Sequence, residues 1–425
     1  MTKRKIHFIG IGGIGVSALA QYYLATGETV SGSDAARSDI TDLLVAKGAE
    51  IYIGQAAANI AAYDLVIHSA AVKEGNPEYD EAKKRALKTI LYAEAIGELT
   101  KKYKTIAVSG SHGKSTTTAM IAIILVQAGL DPTVIVGTKL RELGQNNFRL
   151  GQSEWLVLEA DEYNRSFHNY HPQVIVLTNI DKEHLDIYGD LEGVKQGFAR
   201  YLENLAPNGT LIANGQDKVV CEVIDDMFEA GGRQVVLYND RDLARHQLSV
   251  PGAHNEANAE AAYQVGKLLG VADEAIRASL KGFKGTWRRL EKVVPGIYSD
   301  YAHHPTEIEA SLKALKEDNP TKKLICVFQP HQRDRLNHLF DEFAAAFAAA
   351  DEVVLIPLYA PAGRSADSGK SSADLATEIG EKNVHYAASF DEAYEQVEGQ
   401  MSPDTLVVFM GAGDIDDHLR AKLAN

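Results

Sequence analysis

The residues best suited to chemistry lie in one short stretch, Gly110-Ser111-His112-Gly113-Lys114-Ser115-Thr116, between an apolar run at 105–108 and a helical pattern at 116–127. Glycines let backbone N–H groups close on phosphate oxygens, a lysine neutralises β- and γ-phosphates, and a serine opening a helix holds Mg2+. The stretch therefore reads as a phosphate cradle, with ATP as the nucleotide to expect and Lys114 as its charge partner. It departs from the common G-x-x-x-x-G-K-[ST] spacing, since Val108 stands where the first glycine belongs and His112 precedes the second. A Gly/Ser turn ending by chance in Lys-Ser is the plain alternative, and the order strand, loop, helix speaks against it.

Carboxylates follow where a metal–phosphate site needs them. The apolar run 156–159 ends in Glu159-Ala160-Asp161-Glu162, and the run 174–178 leads into Asn179-Ile180-Asp181-Lys182-Glu183-His184. Acidic residues past the carboxyl ends of parallel strands face the ligand crevice of an open α/β sheet, and Mg2+ on phosphate takes one or two carboxylates. Glu159, which directly ends its strand, is the first choice; His184, by spacing alone, is an ordinary polar residue. Further on, Pro251-Gly252-Ala253-His254-Asn255-Glu256-Ala257-Asn258 opens a helix, where Asn255 or Asn258 either caps the helix or hydrogen-bonds a base. Trp287-Arg288-Arg289-Leu290 offers an arginine able to reach a γ-phosphate, against the alternative of an exposed basic pair. Asp300-Tyr301-Ala302-His303-His304 carries adjacent histidines, but neighbours in sequence rarely point at one ion and no cysteine stands nearby, so zinc is not expected. Gln329-Pro330-His331-Gln332-Arg333-Asp334-Arg335 follows another apolar run and can clamp a substrate carboxylate.

A second glycine loop, Gly10-Ile11-Gly12-Gly13-Ile14-Gly15, follows the apolar run 6–9 and precedes a helical pattern at 16–26, with Asp34 after the next strand. Such a loop binds a diphosphate through its amides and a helix dipole, so NAD and a nucleotide-sugar suit it equally. The ATP-type loop later in the chain tips the balance away from a redox cofactor. Asp34 belongs to this fingerprint unless it is only a solvated turn residue after Ser31-Gly32-Ser33.

Positioning these groups is the task of regularly alternating elements. Apolar runs at 6–9, 65–68, 105–108, 156–159, 174–178, 324–328, 353–357 and 406–410 alternate with helical patterns at 16–26, 258–269, 305–315 and 339–348, as in α/β chains with parallel sheets. Polar stretches at 99–104 and 292–296 divide the chain into segments 1–103, 104–290 and 291–425, each of ordinary domain size. The small-residue stretch 360–372 reads as a mobile surface loop. With 425 residues, 45% hydrophobic and 24% charged, the composition is that of a globular protein. A net charge of −15 argues against general nucleic-acid binding while leaving room for one locally basic pocket. Two cysteines, Cys221 and Cys326, make neither a disulfide framework nor a metal cluster, which fits a reducing cytoplasm. Lys3-Arg4-Lys5 before an apolar stretch imitates a secretory signal, but four glycines between 10 and 15 would weaken the helix that a signal needs. No run reaches the ~18 apolar residues of a membrane span. A cytoplasmic enzyme with neither a nucleic-acid nor a membrane partner is expected.

Taken in order, the loop from Gly110 to Thr117, Glu159, the stretch from Asn179 to His184, His254-Asn255 with Asn258, Arg288-Arg289, and Asp300 with His303-His304-Pro305-Thr306-Glu307 resemble the Mur ligases over essentially the whole chain. These are ATP-dependent amino-acid ligases that build the peptidoglycan stem peptide. The 10–15 loop, Phe328-Gln329-Pro330-His331 and Met410-Gly411-Ala412-Gly413-Asp414-Ile415 look most like the branch that adds L-alanine to UDP-N-acetylmuramate. The branch that recycles a whole tripeptide onto the same sugar is the alternative, and an NAD-dependent oxidoreductase the more distant one.

The resemblance implies an α/β fold of three domains: a Rossmann-like N-terminal domain for the UDP-sugar, a central P-loop ATPase-like parallel sheet, and a Rossmann-like C-terminal domain for the amino acid. It implies ATP and Mg2+ as cofactors, UDP-N-acetylmuramate and L-alanine as substrates, and a monomer or weak homodimer. By the same resemblance Gly110, Ser111, His112, Gly113, Lys114, Ser115 and Thr116 bind ATP, and Ser115, Glu159 and His184 hold Mg2+. Asn255 and Asn258 place ATP, with Arg289 and Asp300 completing the catalytic set. Gly10, Gly12, Gly13, Gly15, Asp34 and Ser69 take the UDP-sugar, and Tyr301, His303, His331 and Arg335 surround the amino acid. Phe198 stands where some relatives carry a carbamylated lysine, Gln332 where the alanine-adding branch shows arginine, and Ser299 for the first of an aspartate pair. The stretch 214–254 is short for the family, implying a reduced or absent accessory sheet.

Overall fold

A computed structural model describes residues 3–228, 233–239, 246–360, 368–380 and 383–424. The chain forms two compact units, residues 1–242 with 258–280, and residues 243–257 with 281–425.

The first unit holds two sheets. The N-terminal one consists of β1 (Lys5–Ile9), β2 (Thr29–Asp34), β3 (Glu50–Ile53), β4 (Leu65–His68) and β5 (Thr89–Leu91), all parallel in the order β3-β2-β1-β4-β5. Parallel strands are covered on both faces and must be apolar throughout, and Ile6, Phe8, Ile9, Val66 and Ile67 are accordingly solvent-free. The order reverses between β1 and β4, and a crevice outside the carboxyl ends of such strands is where ligands bind. The 10–15 loop follows β1 and Ser69 follows β4.

The second sheet is built from β6 (Lys104–Ser109), β7 (Thr133–Leu140), β8 (Asn146–Arg149), β9 (Trp155–Glu159), β10 (Val174–Leu177), β11 (Thr210–Asn214) and β12 (Gln234–Tyr238), in the order β12-β11-β10-β6-β9-β7-β8. It is not wholly parallel as expected, because β8 runs antiparallel to β7. The connection explains the correction. Only a short turn through Gly144 and Gln145, both at positive φ, separates the two strands, and a parallel return needs a far longer crossover. Within 214–254, β12 extends this sheet, while residues 229–232 and 240–245 lie outside the described residues. Helix Ile14–Ala25 is fastened to β8 by buried amides: Gln21 Nε2 donates to Asn147 Oδ1 (2.8 Å), and Asn147 Nδ2 donates to Ile14 O (2.5 Å) and Ser17 Oγ (3.0 Å). Tyr22, Leu99 and Phe148 belong to one continuous apolar core, so the two sheets are not independently filled.

The second unit contains β13 (Glu291–Val294), β14 (Ile297–Asp300), β15 (Lys323–Phe328), β16 (Glu352–Leu355), β17 (Val384–Tyr386) and β18 (Thr405–Met410), ordered β13-β14-β18-β15-β16-β17. All are parallel except β13, an antiparallel edge. Of the helical pattern at 339–348 the helix Phe340–Ala345 forms, and Leu339 (φ −122°) separates it from a short preceding helix, Arg333–His338. Residues 361–367 of the small-residue loop lie outside the described residues. No helix among the described residues is long and apolar enough to cross a membrane.

Candidate active site

β6 delivers the chain into the cradle, and helix Lys114–Gln127 leaves it. Gly113 has φ 81°, and a Cβ there would stand 2.4 Å from Asn258 Oδ1, so only glycine fits. The loop is framed by residues following β10. His112 N donates to Asn179 Oδ1 (2.8 Å), Thr178 Oγ1 donates to His112 O (2.6 Å), and Asp181 N donates to Ser111 Oγ (2.8 Å). The His112 ring joins this frame, with Nε2 3.0 Å from Asp181 Oδ2.

The charged groups fall into two sets. Ser115 Oγ donates to Glu159 Oε1 (2.9 Å), and Gly137 N donates to Glu159 Oε2 (2.7 Å). Burial pushes the Glu159 carboxyl up, against the pull of that amide, Lys114 and Ser115. Lys114 and His184 meet a different acid, Glu162: Lys114 Nζ lies 2.8 Å from Oε2 and His184 Nε2 3.6 Å from Oε1. Burial alone would lower the Lys114 ammonium, but the charges of Glu162 and Asp161 outweigh it and hold the ammonium above its ordinary range. Burial pushes the Glu162 carboxyl up, while Lys114 pulls it back toward the charged form. Asp161, Glu162 and His184 offer ligand atoms within 4.8 Å of one another. Glu162 escaped the sequence reading because Glu159 ends its strand; the turn into Tyr163–Asn169, with Asn164 and Arg165 at positive φ, is what brings Glu162 inward. Phe198 is fully buried with its ring edge-on to Phe167, an apolar core position.

At the N-terminal loop, Ser33 O accepts from Gly10 N (2.9 Å) and Ile11 N (3.0 Å), and Asp34 Oδ2 accepts from Gly12 N (2.7 Å). Asp34 ends β2 rather than standing in a solvated turn, and its carboxylate folds back onto the loop. Ser69 N donates to Ile9 O (3.1 Å), and a Cβ at Gly10 would lie 3.0 Å from Ser69 Oγ, so Ser69 flanks the loop at the strand reversal. A Cβ at Gly15 would meet Tyr92 Oη at 2.8 Å. Beneath Ser33, solvent-free Glu78 accepts from the Ser33 hydroxyl and from Asn59 Nδ2 (2.5 Å), a support that no motif announced.

Helix Ala253–Leu268 begins ahead of both asparagines, so neither Asn255 nor Asn258 is its cap. Asn255 Nδ2 reaches back to Pro251 O (2.7 Å), and Asn258 faces Gly113. Arg288 is buried, not part of an exposed pair: its Nη2 donates to Gly411 O (2.6 Å) and Gly413 O (3.0 Å). Arg289 lies over the Tyr301 ring (5.1 Å) with Nη1 3.3 Å from Glu307 Oε1. Asp300 ends β14, accepting from Ala302 N (2.9 Å) and Ser311 Oγ (2.8 Å); burial pushes its carboxyl up against Arg289. His303 N donates to Glu307 Oε2 (3.1 Å), its ring centre lies 5.9 Å from that of His331, and His331 stacks on Tyr359. Arg335 sits in helix Arg333–His338, preceded by Gln332 at φ 65°. Tyr301, His303, His331 and Arg289 thus gather beyond the carboxyl ends of β14 and β15.

Known proteins match the chain segment by segment. Residues 5–104 match the Mur ligase family catalytic domain, 108–259 the Mur ligase middle domain, and 288–413 the Mur ligase glutamate ligase domain. The chain is 40% identical to the UDP-N-acetylmuramate–L-alanine ligase of Aquifex aeolicus, across 97% of this chain and 95% of that one. It is likewise 40% identical to the ligase of that name from Clostridium tetani, across 97% and 96%. The solved UDP-N-acetylmuramate-alanine ligase of Thermotoga maritima superposes with a TM-score of 0.82 at 29% identity, covering 99% of this chain and 98% of that one. A murein peptide ligase of Psychrobacter arcticus shares the fold with a TM-score of 0.74 at 23% identity, covering 99% of each chain. With its segments matched in order and nearly its full length aligned, the chain belongs to the Mur ligase family.

Proposed function

We propose that the protein is a cytoplasmic ATP-dependent ligase joining L-alanine to UDP-N-acetylmuramate in peptidoglycan precursor synthesis. One observation carries the reading: a glycine cradle with Lys114 and Ser115 beside buried acids, in a chain 40% identical over 97% of its length to ligases of that name. A carboxylate does not condense with an amine in water unless activated. The lactyl carboxylate attacks the γ-phosphate, giving an acyl phosphate and ADP; the alanine amine then displaces phosphate through a tetrahedral intermediate. Phosphoryl transfer depends mainly on positioning and charge neutralisation, the task of Lys114.

Residues 1–103 take the UDP-sugar through Gly10, Gly12, Gly13, Gly15, Asp34 and Ser69. Residues 104–290 take ATP at Gly110, Ser111, His112, Gly113, Lys114, Ser115 and Thr116, with Asn255 and Asn258 placing it, and residues 291–425 take the amino acid at Tyr301, His303, His331 and Arg335. Arg289 and Asp300 complete the catalytic set. The oxygen-rich pair Ser115 and Glu159 suits Mg2+, and the resemblance adds His184, whose ring stands beside Glu162. When bound, the cation supplies further neutralisation of phosphate charge. A monomer or weak homodimer is the working state.

ADP release tests the reading. Release is expected with UDP-N-acetylmuramate, ATP and L-alanine together. Release only with L-Ala-γ-D-Glu-meso-diaminopimelate in place of alanine would transfer the protein to the recycling activity, and NAD binding without ATP binding would remove the ligase reading.

A further inference from the structure

Glu162 is 1% exposed and has no part in the steps above. Lys114 Nζ lies 2.8 Å from one of its carboxylate oxygens and 3.1 Å from the other, and His184 Nε2 approaches at 3.6 Å. The backbone fixes its place: the Glu162 carbonyl accepts the Tyr188 hydroxyl (2.7 Å) and Arg165 N–H (2.9 Å). Lys114 directs its remaining donors at Gly110 O (2.6 Å) and Ser111 O (3.0 Å). An ammonium has three donors, so all are committed before any phosphate arrives. The two loop carbonyls are compatible with a lysine on phosphate, since they belong to the cradle itself. The third donor cannot serve carboxylate and phosphate together.

On the reading that Lys114 serves the nucleotide phosphates, we propose that Glu162 is a positioning residue that competes with phosphate for Lys114 and thereby sets nucleotide affinity. It holds the lysine over the cradle in the nucleotide-free protein and gives it up when phosphate arrives. Its carboxylate is then left to His184, whose ring it orients for turnover.

Calorimetric titration of the full chain with ADP, in the presence of a chelator, measures the competition without metal. Glu162→Gln is expected to bind ADP roughly three- to tenfold more tightly, because a neutral amide holds an ammonium less strongly than a carboxylate does. In the ligase assay its kcat falls while KM for the UDP-sugar stays unchanged. A merely structural role predicts the opposite sign, weaker ADP binding; weaker or unchanged binding overturns the proposal. In a Lys114→Met background the same substitution should leave ADP affinity within about twofold, and tightening that persists there overturns it, since the effect would not run through Lys114. Should Glu162→Gln not fold, Glu162→Asp withdraws the carboxylate by one methylene and must still tighten ADP, failing which the proposal falls. A wild-type chain that binds no ADP would remove the nucleotide reading itself, and the proposal with it.

Discussion

Lys114 and Glu162 illustrate how a buried charge is tolerated only in company: neither is more than 13% exposed, and each is the other's nearest counter-charge at 2.8 Å. Lys114→Met should lower ADP release by about 10²–10³-fold, the usual scale for removing a group that stabilises transferring charge. It should also cost about 3 kcal/mol in urea unfolding, because Glu162 is left enclosed without its cation. Normal turnover in that variant would remove Lys114 from the reaction. His254 provides a pH prediction. Burial, with Arg289 beside it, lowers the imidazole to about 4, while Glu307 pulls the other way. The folded value lies below the unfolded 6.5, so between pH 6.5 and 4 the unfolded chain takes a proton that the folded one refuses. That contribution is intact above pH 6.5 and is lost on acidification, by about 2–3 kcal/mol for a partly exposed residue. His254→Asn should therefore lose less stability than wild type between pH 7 and 4.5, and equal losses in urea melts would rule this out.

At the scale of elements, the strands that apolar runs revealed are the central ones. β1, β4, β6, β9, β10, β15, β16 and β18 are covered on both faces, and such burial writes itself as Val, Ile and Leu in succession. The edges left no such mark. β3, β5 and β17 are short and partly exposed, and β8 reads Asn146-Asn147-Phe148-Arg149, a polar string that becomes a strand because β7 lies opposite it. Asn147 is buried there because helix Ile14–Ala25 supplies partners far away in sequence. Asn147→Ala removes three hydrogen bonds and leaves the Gln21 amide nitrogen unsatisfied, while the Ile14 carbonyl keeps the Ser17 hydroxyl, so it should cost about 2–3 kcal/mol in denaturant unfolding. A change below 1 kcal/mol, on the order of one net hydrogen bond, would mean that the network contributes little. The helix expected over 258–269, with Asn255 or Asn258 as a possible cap, starts earlier for a similar reason: Asn at either position is a good cap by type, but the helical bonds begin at Ala253, and the cap preference is weak beside tertiary packing.

At the scale of the whole molecule, Arg288 joins distant ends of the second unit. Its guanidinium lies 4.9 Å from the Tyr301 ring centre and bonds the carbonyl of Gly411, 123 residues away. Arg288→Met keeps the volume but strands two buried carbonyls, and should lower stability by about 2–4 kcal/mol. Hydrogen exchange in β14 and β18 would report it as lost protection; unchanged protection would show that packing alone closes this unit. By itself the sequence determined the two phosphate-type loops, the alternation of strand and helix, and the order of motifs that places the chain among the Mur ligases. Those features are local: consecutive glycines, a lysine and a serine between a strand and a helix carry their meaning within a dozen residues. Tertiary structure decided which acid meets the loop hydroxyl and which meets the loop cation. Ser115 and Glu159 are 44 residues apart and Lys114 and Glu162 are 48 apart, and only parallel strands brought side by side with their carboxyl ends level place either pair in contact. No spacing rule distinguishes Glu159 from Glu162, because the choice is made by the turn that follows Glu162 and by the burial that makes an unpaired charge too costly to keep.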